Sequence, residues 1–311
     1  MNTESWKDEY EKLFLSIESN TIKNAFSLKA NHIPQKLYRY RTVNEDSLAC
    51  LKNNQIWCTT LDSYNDPYEG YMYLNHPSSY RNEMLNIVDK VKASEAQRLS
   101  VRNAQDVKEL AIALFTDDTN NQNVFEKKYN DGNEVTKNKN IDQIKDVQTN
   151  TKICSFSEIK PFNEDTYYNK ANRLMWAHYG DNHKGFCLEY STTNREFDFY
   201  PVLYASKLLD ITPFFIQQQN GEQTTALLPF YTPMKKEDVW SYEKEWRYIL
   251  VDTAKIKHKN LQDLIPTAIY LGARINPDVK DSIIEIANNN HITIFQVEMD
   301  SKEYKLNTSE L

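Results

Sequence analysis

The chain contains very little glycine, and this limits the ways in which it can hold a ligand. Only six of its 311 residues are glycine, well below the usual proportion of about 7%. No two glycines are spaced as G-x-G, so both the dinucleotide-binding G-x-G-x-x-G sequence and the phosphate-binding G-x-x-x-x-G-K-[ST] loop are missing. The G-x-S-x-G, H-E-x-x-H and EF-hand sequences are missing as well. An enzyme built on this chain must therefore hold its substrate with side chains rather than with a glycine-rich loop.

Charge and apolar patterning exclude further classes of protein. The 37 basic and 44 acidic residues give a net charge of −7, which argues against binding a polyphosphate by bulk charge. No run approaches the roughly 18 apolar residues that a membrane helix needs, and the first residues lack the basic-then-apolar order of a signal peptide. The four cysteines form no C-x-x-C pair. We therefore expect reduced thiols in a cytoplasmic protein without a membrane partner.

Hydrophobic periodicity divides the first half of the chain into a helical start and a strand–helix–strand unit. Apolar residues at three- and four-residue steps predict a helix over 4–31, which ends before Pro34. Strands at 37–41 and 55–60 flank a predicted helix at 45–52. Residues 81–115 are helix-like, whereas 117–152 are rich in Asn, Asp and Lys and predict an exposed insertion.

The second half alternates short apolar runs with two short helices. The predicted strands are 152–156, 185–190, 201–204, 240–251, 268–271 and 292–297, and the predicted helices are 169–178 and 278–288. Separate short strands and helices favour an α+β fold with a mixed sheet. We expect a helical segment at 1–34, followed by a single domain at 35–311 that carries a helical insertion at about 80–150.

The sequence LYRYR at 37–41 places two arginines on one face of a strand. Leu37, Arg39 and Arg41 share that face, and Tyr38 and Tyr40 lie on the other. Paired arginines can bind a phosphate or a carboxylate through their forked donors. The alternative is an edge strand whose arginines are simply solvated.

The sequence WSYEKEWR at 240–247 brings two carboxylates close together. Strand alternation puts four residues on one face: Ser241, Glu243, Glu245 and Arg247. Two carboxylates on one strand face repel each other and raise at least one pKa unless a cation intervenes. Either Arg247 supplies that cation or the pair faces a sugar hydroxyl in a site.

Two further segments carry polar or aromatic groups suited to a cleft. The sequence NDPYE at 65–69 is a turn by its chemistry, with Asn65 or Asp66 as the residue that points into a cleft. The sequence LMWAHYGDNHKGF at 174–186 contains Trp176 and His178. His178 is either a hydrogen-bond donor in a cleft or a satisfied structural histidine. Because no third ligand lies near its histidines, we expect no zinc site.

Taken together, these pieces resemble the bacterial protein family DUF2971. The resemblance covers about 37–275 and leaves out the insertion. Its motifs are LYRYR (37–41), NDPYEG (65–70), ICSFSE (153–158), LMWAHYGDNHKGFCLEY (174–190), WSYEKEWRY (240–248) and AIYLGARI (268–275). The family implies no activity.

A second resemblance, on shorter motifs, is to ADP-ribosyltransferases and their DNA-modifying toxin relatives. Tyr38-Arg39, the helix at 45–52, Cys58-Thr59-Thr60 and Glu243-Lys-Glu245 occur in the order of that group. The middle motif departs from Ser-Thr-Ser, and a second arginine follows the first. This resemblance implies a split, short-stranded sheet, NAD as the substrate and, by analogy, a toxin or phage-defence effector.

The same resemblance assigns roles to individual residues. Glu245 would hold the ribose 2′-hydroxyl and the developing cation, and Glu243 would orient the acceptor. Arg39, helped by Arg41, would bind the pyrophosphate. The other residues implied in NAD binding are Thr59, Asn65 and Asp66, with Tyr38, Tyr40 or Trp176 stacking on nicotinamide and His178 assisting catalysis. The partners are then a nucleotide and a protein or nucleic-acid acceptor.

Two other functions remain open from the sequence. One is a metal-dependent nuclease or phosphoester hydrolase that uses Asp66, His178 and Glu243 around Mg²⁺. The other is a binding module in which the arginine, glutamate and histidine residues form a sensor pocket or a structural network without turnover.

Overall fold

The computed structural model describes residues 5–16, 18–64, 66–75, 138–163, 171–222, 224–251, 258–261 and 264–311. Most of the insertion expected at about 80–150 therefore lies outside the described residues. The fold is α+β, as predicted. Of the described helices, none is both long and apolar enough to cross a bilayer.

Helices and strands alternate along most of the described chain. The helices are α1 Ser5–Leu15, α2 Ser19–Ala30, α3 Glu45–Lys52, α4 138–150, α5 Ala171–His178, α6 Thr212–Gln219, α7 Leu228–Tyr231 and α8 Pro277–Asn289. The strands are β1 Lys36–Arg41, β2 Ile56–Thr60, β3 Met72–Tyr73, β4 Thr151–Ser157, β5 Phe186–Ser191, β6 Phe199–Pro201, β7 Leu203–Ala205, β8 Leu209–Asp210, β9 Lys235–Glu237, β10 Glu245–Val251, β11 His258–Leu261, β12 Ala268–Leu271, β13 Thr293–Met299 and β14 Leu306–Glu310.

Ten of these strands form one mixed sheet. Its order is β11-β2-β4-β1-β5-β12-β13-β14, and β10 joins β4 to β6. Pairing is antiparallel throughout this sheet except between β12 and β13. The remaining strands form two small parallel pairs, β3 with β8 and β7 with β9.

The sheet is open where β4 meets β1 and β2. Strand β4 pairs with β10 over seven positions, but with β1 only at Tyr38 opposite Ser157. Its pairing with β2 is limited to Thr59 opposite Ile153 and Thr60 opposite Lys152. Strands β1 and β2 thus touch opposite ends of β4 and diverge between them. This gap is the structural basis of the cavity described below.

Local interactions stabilise the strand–helix–strand unit of β1, α3 and β2, which borders the gap. Asn44 caps α3 by accepting a hydrogen bond from the Ser47 amide, and the Ser47 hydroxyl accepts one from the Asn44 amide. Two acidic residues, Glu45 and Asp46, lie in the first turn of α3, where their negative charges interact favourably with the positive end of the helix dipole. Strands β1 and β2 alternate between buried and partly exposed residues over most of their length.

The single helix predicted over 4–31 is wrong, because the chain folds into a hairpin of α1 and α2. Each helix has one apolar stripe, and the hairpin lets both stripes bury residues such as Tyr10, Phe14 and Ala25 in one cluster. The hairpin also packs on the rest of the domain, since the Tyr10 hydroxyl donates to the Met234 sulfur at 3.7 Å.

Three further element predictions need correction. The strand over 240–251 begins only at Glu245, because 238–243 form a 3₁₀ helix and Lys244 has φ +46°. The strand over 201–204 is divided at Val202 between two sheets. The segment 117–152, predicted as an exposed insertion, includes α4, whose Ile144 and Val147 pack on a buried cluster.

We predict that Gly185→Ala will be strongly destabilising. A methyl group at Gly185 would clash with the carbonyl oxygen of Arg41, which is backbone and cannot swing away. The expected loss of unfolding free energy in urea is about 3 kcal/mol. Gly221→Ala is the control, because its methyl would meet nothing within 4 Å and only its φ of +95° is unfavourable, at about 1–2 kcal/mol. Equal losses in the two variants would contradict the packing argument.

Candidate functional site

A cavity of about 300 Å³ lies in the gap of the sheet, and we call it the split-sheet cavity. Because β1 and β4 diverge, residues from both sheet faces line it. Arg39 and Arg41 come from one face of β1, and Tyr38 and Tyr40 come from the other. The remaining lining residues are Thr59, Ser63, Tyr64, Asp66, Glu69, Ser155, Phe156, Ser157, Met175, Tyr179, Lys236, Trp240, Glu243 and Glu245.

The two arginines form the basic half of the cavity. Arg39 donates from Nη2 to the carbonyl oxygen of Trp57 at 3.1 Å, and its guanidinium lies 6.0 Å from the centre of the Phe156 ring. Among the described residues, neither Arg39 nor Arg41 has a carboxylate partner. Burial and the neighbouring Arg39 charge lower the pKa of Arg41. Unpaired, partly buried guanidiniums on a cavity wall are typical of an anion-binding site.

Carboxylates and two further cations form the other half. Lys236 of β9 donates from Nζ to Oε2 of Glu243 at 2.6 Å and to Oε2 of Glu245 at 2.9 Å. Arg247 binds Glu245 with two donors, from Nε at 2.8 Å and from Nη2 at 3.0 Å. Its Nη1 lies 2.5 Å from Oε1 of Glu69. These five side chains are the buried ion network.

The network shifts the pKa values of its two central acids in opposite directions. Burial alone would raise the pKa of Glu245, but Arg247 and Lys236 lower it from 4.5 to about 2. Burial and the charge of Glu245 raise the pKa of Glu243 despite the pull of Lys236. Tyr179 also contacts Glu243, with its hydroxyl 2.5 Å from Oε1. Glu245 is therefore ionised at neutral pH, while Glu243 is the acid better placed to exchange a proton.

Glu243 and Glu245 do lie close together, but not because they share one face of a strand as predicted. Only Glu245 lies on the strand, and Glu243 ends the preceding 3₁₀ helix. The left-handed Lys244 between them turns both carboxylates toward Lys236. Of the two alternatives, Arg247 does pair with Glu245, and yet both acids also line the cavity.

Most of the predicted site residues line the cavity, but not all of them do. Thr59 and Asp66 line it, as do Tyr38 and Tyr40. Trp176 is fully buried beneath it, where its ring packs edge-on against Tyr40 at 5.2 Å and its indole donates to Pro161. That placement corrects the expected stacking role of Trp176, because no ligand reaches the ring.

His178 does not join the cavity lining, and the placement of Asn65 is not described. His178 is exposed, and its Nδ1 lies 2.9 Å from the hydroxyl of Tyr242. Asn65 lies outside the described residues. The magnesium hypothesis needed His178 beside Asp66 and Glu243, but only the latter two line the cavity. Within the described ranges, no group of three or more histidine, cysteine or acidic residues has metal-binding geometry.

Several lining residues were not predicted from the sequence, among them the polar residues Tyr64, Ser155, Tyr179 and Lys236. Tyr64 directly precedes the 65–70 segment and Tyr179 lies within the 174–186 segment, so a search for polar aromatics in and beside these segments would have found both. Ser155 lies within the ICSFSE motif. Lys236 gave no signal, because its contacts with Glu243 and Glu245 depend on how β9 packs.

Comparison with known proteins shows that part of this site is similar to a family. The family model described as "Protein of unknown function (DUF2971)" matches residues 175–248. We call residues 175–248, which are similar to this family, the DUF2971 segment. No curated protein and no solved structure matches the chain. The predicted resemblance is confirmed there, whereas the resemblance to ADP-ribosyltransferases stays a prediction.

The DUF2971 segment contains most of the acidic half of the cavity, although Glu69 lies outside it. Tyr179, Lys236, Glu243, Glu245 and Arg247 all lie within the matched range. The arginine half is supplied by β1, which lies outside it. The cavity therefore depends on contacts between the DUF2971 segment and the first strands of the sheet.

We predict opposite stability effects for two arginines in this site. Arg41→Met removes a desolvated charge that has no carboxylate partner, so the free energy of unfolding should stay the same or rise by about 1 kcal/mol. Arg247→Met removes the ion partner of the buried Glu69 and leaves Glu245 with Lys236 alone, and it should cost about 3–5 kcal/mol. Urea unfolding of both variants measures the difference, and equal destabilisation would contradict it.

We also predict an acid-sensitive contribution from Glu245. Its pKa is depressed in the folded protein to about 2 from 4.5, so its stabilising effect is complete above pH 4.5 and is lost as the pH falls toward 2. Glu245→Gln should flatten the fall in stability across this range. The exposed Glu237→Gln is the control, and thermal unfolding between pH 2 and about 7 is the measurement. An unchanged slope in Glu245→Gln would contradict the ion-pair assignment.

Proposed function

We propose that the split-sheet cavity binds NAD through its phosphates and cleaves the bond between nicotinamide and ribose. The observation that carries this proposal is the division of the cavity into two halves. Two guanidiniums that have no carboxylate partner among the described residues line one side, and a carboxylate pair with opposed pKa shifts lines the other. Cleavage of the glycosidic bond in a phosphorylated nucleoside requires cations that bind the phosphate and carboxylates beside the bond that breaks. The two halves of the cavity supply these two kinds of group.

The basic half is suited to the phosphates. Arg39 and Arg41 project from the same face of β1, so their forks can bind two oxygens of one phosphate or of neighbouring phosphates. This use of side chains replaces the glycine-rich loop that the chain lacks. Thr59 and Tyr64 add hydroxyl groups to the same wall.

The ionised acid is suited to the cationic transition state. When the glycosidic bond breaks, its electron pair moves to the pyridinium nitrogen, so neutral nicotinamide leaves and positive charge develops on the ribose. Glu245 carries a full negative charge to stabilise that cation. Its Oε2 already accepts hydrogen bonds from both Arg247 and Lys236, so a ribose hydroxyl would bind at Oε1, which accepts from Nε of Arg247.

The second acid is suited to proton transfer. Attack by water or by an acceptor hydroxyl forms the new bond to ribose and releases one proton. Glu243 has the raised pKa of a general base and takes that proton. Tyr179 and Lys236 hold its carboxylate in place. With water the product is ADP-ribose, and with a protein or nucleic-acid acceptor the enzyme is a transferase of the kind found among toxins and defence effectors.

A cytoplasmic location belongs to the same proposal. NAD is an intracellular metabolite, and the four cysteines are free thiols, which suits a reducing compartment.

A binding module without turnover is the second candidate. The specific observation in its favour is that all oxygens of Glu243 and Glu245 already have donors from Lys236, Arg247 or Tyr179. A carboxylate pair this well satisfied can be purely structural. The two candidates differ in whether nicotinamide appears.

The decisive experiment is incubation of the purified protein with NAD labelled in its nicotinamide, alone and with cell lysate. Wild-type protein should release free nicotinamide. Glu243→Gln should lower the rate at least 100-fold, because it removes the general base. In the wild type the rate should rise with pH as Glu243 loses its proton, and this rise should be absent from Glu243→Gln.

Arg41→Lys separates binding from chemistry. Lysine keeps the charge but lacks the fork, so the KM for NAD should rise at least tenfold with a smaller change in kcat. The exposed Glu237→Gln serves as the control for both variants. Binding of NAD without any nicotinamide release would favour the binding module, and the absence of binding would reject both candidates for this nucleotide.

A further inference from the structure

A second cavity adjoins the split-sheet cavity along the same sheet, and we call it the aromatic cavity. It has a volume of about 710 Å³. Its lining residues are Pro34, Gln35, Lys36, Tyr38, Glu158, Lys160, Phe162, Glu189, Tyr270, Phe295 and Thr308. The function proposed above makes no use of it.

The two cavities meet at a single ladder pair. Tyr38 lines both cavities, and it pairs across the sheet with Ser157. Ser157 lines the split-sheet cavity, whereas its neighbour Glu158 lines the aromatic cavity. A ligand that extends past Tyr38 would therefore occupy both.

A row of aromatic rings forms one wall of the aromatic cavity. The ring of Tyr270 stacks against Phe295, with centroids 5.0 Å apart and planes 13° apart. On its other side it lies 5.4 Å from Phe162 at 32°. Tyr270 itself is buried, but Phe162 and Phe295 remain partly exposed. They offer flat apolar surfaces to a planar ligand.

The polar groups around these rings balance in charge. Two lysines and two glutamates, Lys36, Lys160, Glu158 and Glu189, line the cavity. Glu189 already pairs with Lys36 at 2.8 Å and accepts a hydrogen bond from the Tyr270 hydroxyl at 2.9 Å. Such a border supplies both donors and acceptors without a net charge. It matches the edge of a neutral heteroaromatic ring better than it matches a second phosphate.

We propose that the aromatic cavity binds the purine base of the nucleotide. This inference rests on the proposed function, because it places the other half of the same dinucleotide. The split-sheet cavity alone is at the lower limit of ligand pockets, which range over about 300–1,000 Å³. A dinucleotide that spans Tyr38 places its base against Phe162 and Phe295, and its phosphates and nicotinamide ribose in the split-sheet cavity.

The test compares NAD with nicotinamide mononucleotide, which has the same reactive bond but no purine. Phe295→Leu keeps the apolar packing and removes the ring. It should raise the Kd or KM for NAD about tenfold, the effect of one base–aromatic stack, and leave the values for the mononucleotide unchanged. Phe162→Leu should act in the same direction. Tyr304→Ala removes an aromatic side chain that is 86% exposed and is the control.

Each outcome decides between the two proposals. If Phe295→Leu and Phe162→Leu change NAD and the mononucleotide equally, or change neither, the purine assignment is overturned while the cleavage chemistry stands. If wild-type protein uses neither nucleotide, the proposed function fails, and AMP then tests the cavity directly. AMP binding that Phe295→Leu weakens would support a purine site on its own, and no AMP binding would overturn it. Thermal unfolding of each variant separates loss of binding from loss of fold.

Discussion

One buried lysine holds two carboxylates that would otherwise repel each other. Lys236 reaches them from β9, so its ammonium ties that strand to the 3₁₀ helix that ends at Glu243 and to the first residue of β10. Arg247 extends the contact to the turn that carries Glu69. Three consecutive elements and the distant turn at Glu69 are thereby fixed around one charge cluster. That cluster forms a wall of the split-sheet cavity.

The ion network also explains why the arginines on the opposite wall do not pair with any carboxylate in the part of the chain that the structure describes. Its carboxylates are held by their own cations, so they are not drawn across the gap to Arg39 or Arg41. A buried guanidinium without a carboxylate is unfavourable for stability, and the fold keeps two of them side by side. Such groups persist where the stability of the rest of the fold offsets their unfavourable free energy, and this is common at binding sites.

Local patterns predicted much of the fold, and non-local contacts account for what they missed. The helix at 45–52 and the strand at 268–271 were placed at their observed bounds, because capping and apolar runs are local signals. The strand predicted to begin at residue 240 was wrong, because the alternating pattern of residues at 240–247 continues through a 3₁₀ helix and the left-handed Lys244. The hairpin of α1 and α2 was missed because the break between the two helices is stabilised only by their packing on the rest of the domain.

The candidate site shows the same division between local and non-local information. Arg39, Arg41, Thr59, Asp66 and the two glutamates could be chosen from their motifs, but no motif states that β1 and β2 pair with opposite ends of β4. That arrangement alone opens the sheet and turns a basic strand and an acidic turn into two walls of one cavity. Without the gap, the residues of the DUF2971 segment would form only a buried ion network, and the arginines of β1 would be a surface strand. The chemistry available to the protein therefore arises from incomplete strand pairing, which no single segment encodes.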